Sequence, residues 1–178
     1  MAPLATFFIK GLTPIPKELE RIELITVFVS EDVFQHLGDV SDWFCIRTYD
    51  KLEELIPCDW EAGGVKVFPL VPVLVTNDYP MLDDEMVISQ EIFDAIWALD
   101  DDIDYYEDIF EENYDKHKIG GYPSFCQQPY RFEDYEGYEY VFQISSDEKA
   151  KFNIVDDGNF YFFYNEKEGK WKVHCDFY

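Results

Sequence analysis

The amino-acid sequence predicts an α+β fold, with mixed, mainly antiparallel sheets and a helical, acidic middle segment. Segments rich in β-branched and aromatic residues lie near both ends of the chain and are separated by turn sequences, which is typical of strands. The middle of the chain repeats its apolar residues every three or four positions, as an amphipathic helix does. No repeat of fixed period and no low-complexity linker divides the 178 residues. We therefore predict a single domain over residues 1–178.

The first half of the chain predicts strands joined by short helices. Three apolar segments have the composition of strands: 4–9, 22–29 and 42–49. Ser30 is a suitable N-cap for a short helix that ends by Gly38. Asp50, with Glu53 as its capping-box partner, predicts another short helix, which Pro57 stops.

The second half begins with an extended segment and ends in strands. The apolar segment 64–75 contains Pro69 and Pro72, and these prolines indicate a sheet edge or a bend. Ser89 is the predicted N-cap of a helix that ends near residue 99. Four more segments predict strands: 138–145, 151–155, 159–164 and 170–177.

The charge of the chain is its most unusual property. Asp and Glu number 38 against 14 Lys and Arg, which gives a formal net charge of −24. Such a field repels nucleic acid and anionic lipid headgroups and attracts basic proteins. We therefore expect neither direct nucleic-acid binding nor membrane binding, and we expect a basic protein as the partner. Since 47% of the residues are apolar, we also expect the chain to fold rather than remain disordered.

The cysteines and the N-terminal residues predict a cytoplasmic protein. The four cysteines form no closely spaced pair, and the first residues lack the basic and apolar regions of a secretory signal. No stretch reaches the roughly 20 apolar residues of a membrane span. Reduced thiols, buried as small apolar groups, are expected in that compartment.

The acidic segment, residues 100–112, is the main candidate for partner binding. A second helix is expected over 102–114, with its acidic residues opposite an apolar stripe. Lys and Arg are absent between Val67 and Asp115, so like charges would be neighbours on that face, at a cost of a few tenths of a kcal/mol per close pair. The predicted partner-binding residues are Asp100, Asp101, Asp102, Asp104, Glu107, Asp108, Glu111 and Glu112.

Two other interpretations of the acidic segment remain open. A run of charges is most often a solvated face, and charge alone steers partners without choosing one. Calcium is a weaker alternative, because the run lacks the glycine and the final glutamate of an EF-hand loop. We predict no metal site and no cofactor.

No recognisable catalytic motif occurs in the chain. The patterns of serine hydrolases, zinc proteases, P-loop proteins and dinucleotide-binding proteins are all missing. A Cys–His pair would need Cys126 or Cys175 beside a histidine from elsewhere, and no spacing demands it. We therefore predict no catalytic residues. An enzyme of unrecognised type remains a third alternative, with Cys126 or His117 as the residues to test.

Several segments resemble a known family. They are 117–127 (HKIGGYPSFCQ), 141–147 (VFQISSD), 156–162 (DDGNFYF) and 171–178 (WKVHCDFY), with looser matches at 22–29 and 44–55. These segments resemble the YwqG-like family, a bacterial family of unassigned function. The resemblance implies a compact α+β fold with antiparallel sheets. It implies no established enzymatic activity, and it supplies no catalytic residues.

The two adjacent glycines in the first of these segments have two interpretations. Gly120 and Gly121 mark backbone that needs a positive φ or the close approach of another group. A tight turn requires this, and so does a ligand that lies against the backbone. The alternative ligand pocket is therefore predicted at Gly120, Gly121, Tyr122 and Gln127.

The sequence as a whole favours a non-enzymatic acidic binding protein. Its suspected role is that of an immunity protein, which neutralises a basic toxin through the acidic segment. That role is implied by the family resemblance, since YwqG-like proteins are associated with toxin systems. A small-ligand-binding module of unknown specificity is the alternative.

Overall fold

The computed structural model describes residues 1–53, 55–56, 58, 65–82, 89–99, 102–127 and 135–178. Its regular elements are β1 (Ala2–Phe8), β2 (Leu24–Val29), β3 (Gly38–Asp39), β4 (Phe44–Tyr49), α1 (Gln90–Trp97), β5 (Lys118–Ile119), β6 (Glu139–Ser145), β7 (Asn159–Asn165) and β8 (Lys170–Asp176). Short 3-10 turns and one π-helical turn, Tyr105–Ile109, complete the described part.

Two antiparallel sheets form the core of the described structure. The first has the strand order β1–β2–β4, and the second has the order β3–β8–β7–β6–β5. Alternate residues of β2 are buried, as expected for a sheet with one face toward the core. Strands β6 and β7 are buried at nearly every position, which explains their almost continuous apolar sequences.

Aromatic side chains join the two sheets. Phe7 of β1 lies 5.1 Å from Phe142 of β6, measured between ring centroids. Phe44 of β4 meets Phe160 of β7 edge to face at 5.0 Å. Because such pairs add to the free energy of burial, the aromatic residues in these strands hold the sheets face to face.

Most predicted strands and caps are confirmed. Strands occupy most of the predicted segments near both ends of the chain. Ser30 caps a 3-10 turn by accepting the Asp32 N–H (3.4 Å), and Ser89 caps α1 by accepting the Ile92 N–H (3.3 Å). Short polar side chains at these positions satisfy backbone donors that a helix leaves unpaired.

The helix predicted over 102–114 is wrong in its extent. The structure contains only the π-helical turn Tyr105–Ile109, and residues 110–115 have no regular secondary structure. Asp104 and Asp108 are four residues apart, so a helix would place these two like charges side by side. Bonds from residues 112–114 to the preceding segment hold the backbone open instead. The described part is therefore dominated by antiparallel sheets, and only α1 and the π-helical turn are helical among the described residues of the predicted helical, acidic middle.

Two other expected elements differ from the structure. The segment 151–155 contains an isolated bridge at Phe152 rather than a strand, because Lys151 and Val155 have φ values of 53° and 55°. The described residues of the helix predicted over 50–57 are not helical, and residues 54 and 57 lie outside the described part. In the described part of the chain, no helix combines the length and the apolar character needed to cross a bilayer.

Candidate functional site

The acidic segment is fastened to the chain that precedes it. Tyr105 is 7% exposed and donates its hydroxyl to the Pro80 carbonyl at 2.8 Å. Asn113 donates its side-chain amide to the Tyr79 carbonyl at 2.7 Å, and the Tyr79 N–H donates to the Glu112 carbonyl at 2.8 Å. The carboxylates between these anchor points therefore project from a positioned backbone.

Three of the predicted partner-binding carboxylates hold the local backbone. Asp104 Oδ1 accepts two backbone N–H groups of the π-helical turn, at 2.9 and 3.0 Å, and so caps that turn. Asp108 Oδ2 accepts the Asp104 N–H at 2.8 Å. Glu111 accepts the side-chain amide of Asn77. These three residues shape the segment as well as contributing charge.

Three further carboxylates point outward. Asp102, Glu107 and Glu112 are exposed, and within the described residues their side chains have neither a hydrogen-bond partner nor an ion-pair partner. Asp100 and Asp101 lie outside the described residues. Across the described part of the chain, no group of three or more His, Cys, Asp or Glu side chains is placed to hold a metal ion.

Asp78 organises the adjacent glycines of segment 117–127. Its carboxylate accepts the Tyr122 N–H at 2.8 Å and both oxygens lie 3.0 Å from Lys118 Nζ. The side chains of this ion pair are only 11% and 9% exposed. A Cβ atom added to Gly121 would lie 2.1 Å from Asp78 Oδ2, so the glycine is required for the carboxylate to approach.

Gln143 fixes the same loop from within β6. It is fully buried, and its Oε1 accepts the Ser124 N–H at 3.0 Å. Its Nε2 donates to the Ser124 hydroxyl at 2.7 Å and to the Lys116 carbonyl at 2.9 Å. A buried amide with these partners is satisfied and positions the loop.

His117 has a positioning role in this arrangement. Its Nδ1 accepts the Ser145 N–H at 3.0 Å, so the neutral ring carries its proton on Nε2. Nε2 faces Asp147 Oδ2 at 3.3 Å. Both ring nitrogens therefore contact groups of the fold.

A second polar cluster surrounds Asp176 at the end of β8. Its Oδ2 accepts the N–H groups of Cys126 and Gln127 at 2.9 and 3.2 Å. The Tyr161 hydroxyl lies 2.8 Å from Asp176 Oδ1 and 2.6 Å from the Ser124 carbonyl, although it has one proton to donate. Burial raises the pKa of Asp176, against the lowering effect of the bonds from Tyr161 and the backbone.

Cys126 is a thiol rather than a thiolate at neutral pH. Burial, reinforced by the charge of Asp176, raises the pKa of Cys126 to about 12. Asn159 Nδ2 lies 3.3 Å from the sulfur. An activated nucleophile requires the opposite shift in pKa.

The four residues of the predicted ligand pocket are held by the fold. Asp78 fills the space beside Gly121 and bonds Tyr122, while Gln127 Nε2 donates to the Phe177 carbonyl at 2.6 Å. A cleft elsewhere in the described part of the chain has none of Gly120, Gly121, Tyr122 and Gln127 in its lining. That cleft has a volume of about 290 Å³ and is lined by Asp39, Ser41, Asp42, Trp43, Tyr138, Trp171 and Lys172.

The cleft combines flat aromatic walls with charged groups. Lys172 Nζ lies 3.5 Å from Asp39 Oδ2 and 5.5 Å from the centre of the Tyr138 ring. Trp43 is stacked on His36 at 4.5 Å, so the indole has a fixed orientation. Four of its seven lining residues are polar or charged, so the lining is more polar than that of most small-molecule sites.

Sequence reasoning missed Asp78 and the buried roles of Gln143 and Asp176. Gln143 could have been noticed, because one amide within an apolar strand must find partners when that strand is buried. Asp78 precedes the loop it organises by about forty residues, and no local pattern indicates that contact. Sequence reasoning also missed Tyr105 and Asn113, the residues that anchor the acidic segment.

The fold and these polar clusters define the class of protein. It has two packed antiparallel sheets, and buried polar side chains hold a glycine-containing loop in position. The chain belongs to the family described as Domain of unknown function (DUF1963), which matches residues 45–173. No curated protein and no solved structure matches the chain.

Proposed function

We propose that this protein is an acidic binding protein of the immunity type, which neutralises a basic toxin in the cytoplasm without catalysis. The observation that carries the proposal is the set of outward carboxylates on a positioned backbone, Asp102, Glu107 and Glu112. The resemblance of segment 117–127 to the YwqG-like family supports the immunity role.

The electrostatics of the acidic segment favour association with a basic surface. Like charges on neighbouring residues repel one another in the unbound protein, and a basic partner relieves that repulsion. Because the backbone is already positioned, little conformational entropy is lost when the partner binds. The net charge of −24 accelerates the encounter from a distance.

Reversing the outward charges is expected to slow association. We expect the triple variant Asp102→Lys, Glu107→Lys and Glu112→Lys to bind the basic partner with an on-rate roughly tenfold lower at low salt. The partner would be obtained by affinity capture from the source lysate and identified by mass spectrometry, and binding would be followed by surface plasmon resonance.

A matched variant separates this site from the overall charge. Glu31→Lys, Asp50→Lys and Glu166→Lys change three exposed acids elsewhere and alter the net charge equally. We expect this control to retain most of the on-rate. Equal on-rates for the two triple variants would show that the acidic segment is not the binding surface.

A small-ligand-binding module is the second candidate, and the cleft favours it. Its aromatic walls and the Lys172–Asp39 pair suit a small polar ligand. In a thermal-shift screen of small metabolites, a ligand at about 100 times its Kd would stabilise the protein by about 2.7 kcal/mol.

Two substitutions test whether that ligand occupies the cleft. We expect Trp43→Ala to remove the shift in Tm, and Trp97→Ala to preserve it, because Trp97 is a 73% exposed indole on α1 outside the cleft. A shift that survives Trp43→Ala would exclude the cleft as the site.

A further inference from the structure

An exposed apolar segment is the least expected feature of the surface. Residues 67–76, here called the apolar arm, include Val67, Val71 and Val73, whose exposures are 80%, 82% and 82%. Leu70 and Leu74 are also more than half exposed. Isolated apolar residues are common on protein surfaces, but a contiguous run marks an interaction surface.

The arm is held at both ends and by Lys149 Nζ, which lies 4.6 Å from the centre of the Phe68 ring, but its backbone is unpaired among the described residues. Before it, the Lys66 N–H donates to the Ala150 carbonyl at 2.7 Å. After it, Asp78 takes part in the ion pair with Lys118. Among the described residues, the backbone of 67–76 makes no hydrogen bond. A β-branched segment with unpaired backbone groups and no regular secondary structure of its own suits addition to the edge of a sheet.

The same molecule presents an edge of this kind. Strand β4 is the last strand of the first sheet, and its six residues pair with β2 alone among the described strands. An edge strand offers a row of backbone donors and acceptors to an incoming segment. Pro69 and Pro72 lack an N–H, so the pairing would fall mainly on residues 73–76.

Local charge allows two copies to meet here despite the net charge of −24. The arm contains no charged residue, and the only charged residue in β4 is Arg47. Contact between the arm and β4 therefore brings no pair of carboxylates together. Elsewhere the surface is rich in acids, which would oppose contact between two copies.

We propose that the apolar arm of one copy pairs with strand β4 of a second copy, and that two such contacts form a closed, symmetric dimer. Each copy supplies one arm and one edge, so residues 73–76 of both arms find a partner strand. The contact is independent of the acidic segment and of the proposed partner. Salt would strengthen the dimer by screening the repulsion between the two acidic bodies, whereas it weakens binding to a basic protein.

Sedimentation equilibrium of the full chain tests the proposal. We expect a monomer–dimer equilibrium whose Kd falls when NaCl is raised from about 0.05 M to about 0.5 M. Val73→Lys should raise that Kd roughly ten- to hundredfold, because it replaces a buried apolar contact. The added lysine lowers the net negative charge, so a weaker dimer could not be attributed to greater repulsion.

Two further variants complete the test. Leu74→Pro removes one backbone donor without changing charge, and it should also weaken the dimer. Trp97→Lys makes the same change of charge at another exposed apolar residue and should leave the dimer intact. Circular dichroism would verify that every variant is folded, as expected for substitutions at exposed positions. A monomeric wild-type chain at both salt concentrations would overturn the proposal, and so would a dimer unaffected by Val73→Lys and Leu74→Pro.

Discussion

Replacing Gly121 with alanine is expected to destabilise the protein by about 3 to 5 kcal/mol. The glycine has a φ of +69°, where an L-residue loses roughly 1 to 2 kcal/mol. The new Cβ would also lie 2.1 Å from Asp78 Oδ2. Asp78 cannot move away freely, because bonds from Lys118 and the Tyr122 N–H fix its position. Each buried polar interaction that is broken costs roughly 1 to 3 kcal/mol.

Gly120→Ala is the matched control, and urea denaturation is the measurement. Gly120 has a φ of +74°, and its added Cβ would lie 3.4 Å from Pro16 Cδ, which is an ordinary contact. This variant should therefore lose only the backbone cost of about 1 to 2 kcal/mol. Equal losses for the two variants would contradict the role of Asp78 as the reason for glycine at position 121.

His174 is expected to make the folded protein less stable as the pH falls from about 6.5 to about 4. Burial lowers the pKa of His174 from 6.5 to about 4, against a small opposing effect of Asp39. The unfolded chain therefore takes up a proton near pH 6.5, while the folded protein remains neutral at this position until about pH 4. The free energy of unfolding should decrease by about 3 kcal/mol across this range through His174.

The difference between wild type and His174→Phe isolates this contribution. Phenylalanine preserves the aromatic packing against Phe125 and Tyr161. Asp176 has the opposite effect on the pH dependence, because its raised pKa favours the folded state in acid. Both proteins retain Asp176, so its contribution cancels when the two free energies of unfolding are subtracted. The measurement is the free energy of unfolding in urea at several pH values.

His36→Phe is the control for the loss of an imidazole, since His36 is exposed. We expect the curve of His174→Phe to be flatter than that of wild type between pH 6.5 and about 4. If the two His variants flatten the curve equally, burial of His174 is not the cause.

Local patterns were sufficient to predict most of the strands and the caps Ser30 and Ser89. The apolar residues of β2 alternate because one face of that strand is buried. The sequences of β6 and β7 are apolar almost throughout because both faces of those strands are buried. Ser89 capped α1 because its hydroxyl reaches a backbone donor within the same turn. Strands and caps of this kind depend on residues close together in the sequence, so the local sequence pattern predicts them.

The acidic segment shows where local patterns fail. Its spacing predicted a helix over 102–114, but the backbone is held instead by contacts from Tyr105 and Asn113 to residues 79 and 80. These contacts cross more than twenty positions of sequence, and the repulsion between neighbouring acids weakens the competing helix. The segment therefore follows its tertiary contacts rather than its periodicity.

The sequence by itself determined the antiparallel strands, the acidic character and the special backbone at the adjacent glycines, because composition and periodicity carry those properties. Only the tertiary structure decided which groups meet. Asp78 fills the space beside Gly121, Gln143 holds the loop from within β6, and the apolar arm remains exposed. The first two depend on packing between residues distant in the chain, and local sequence patterns do not indicate which distant residues meet.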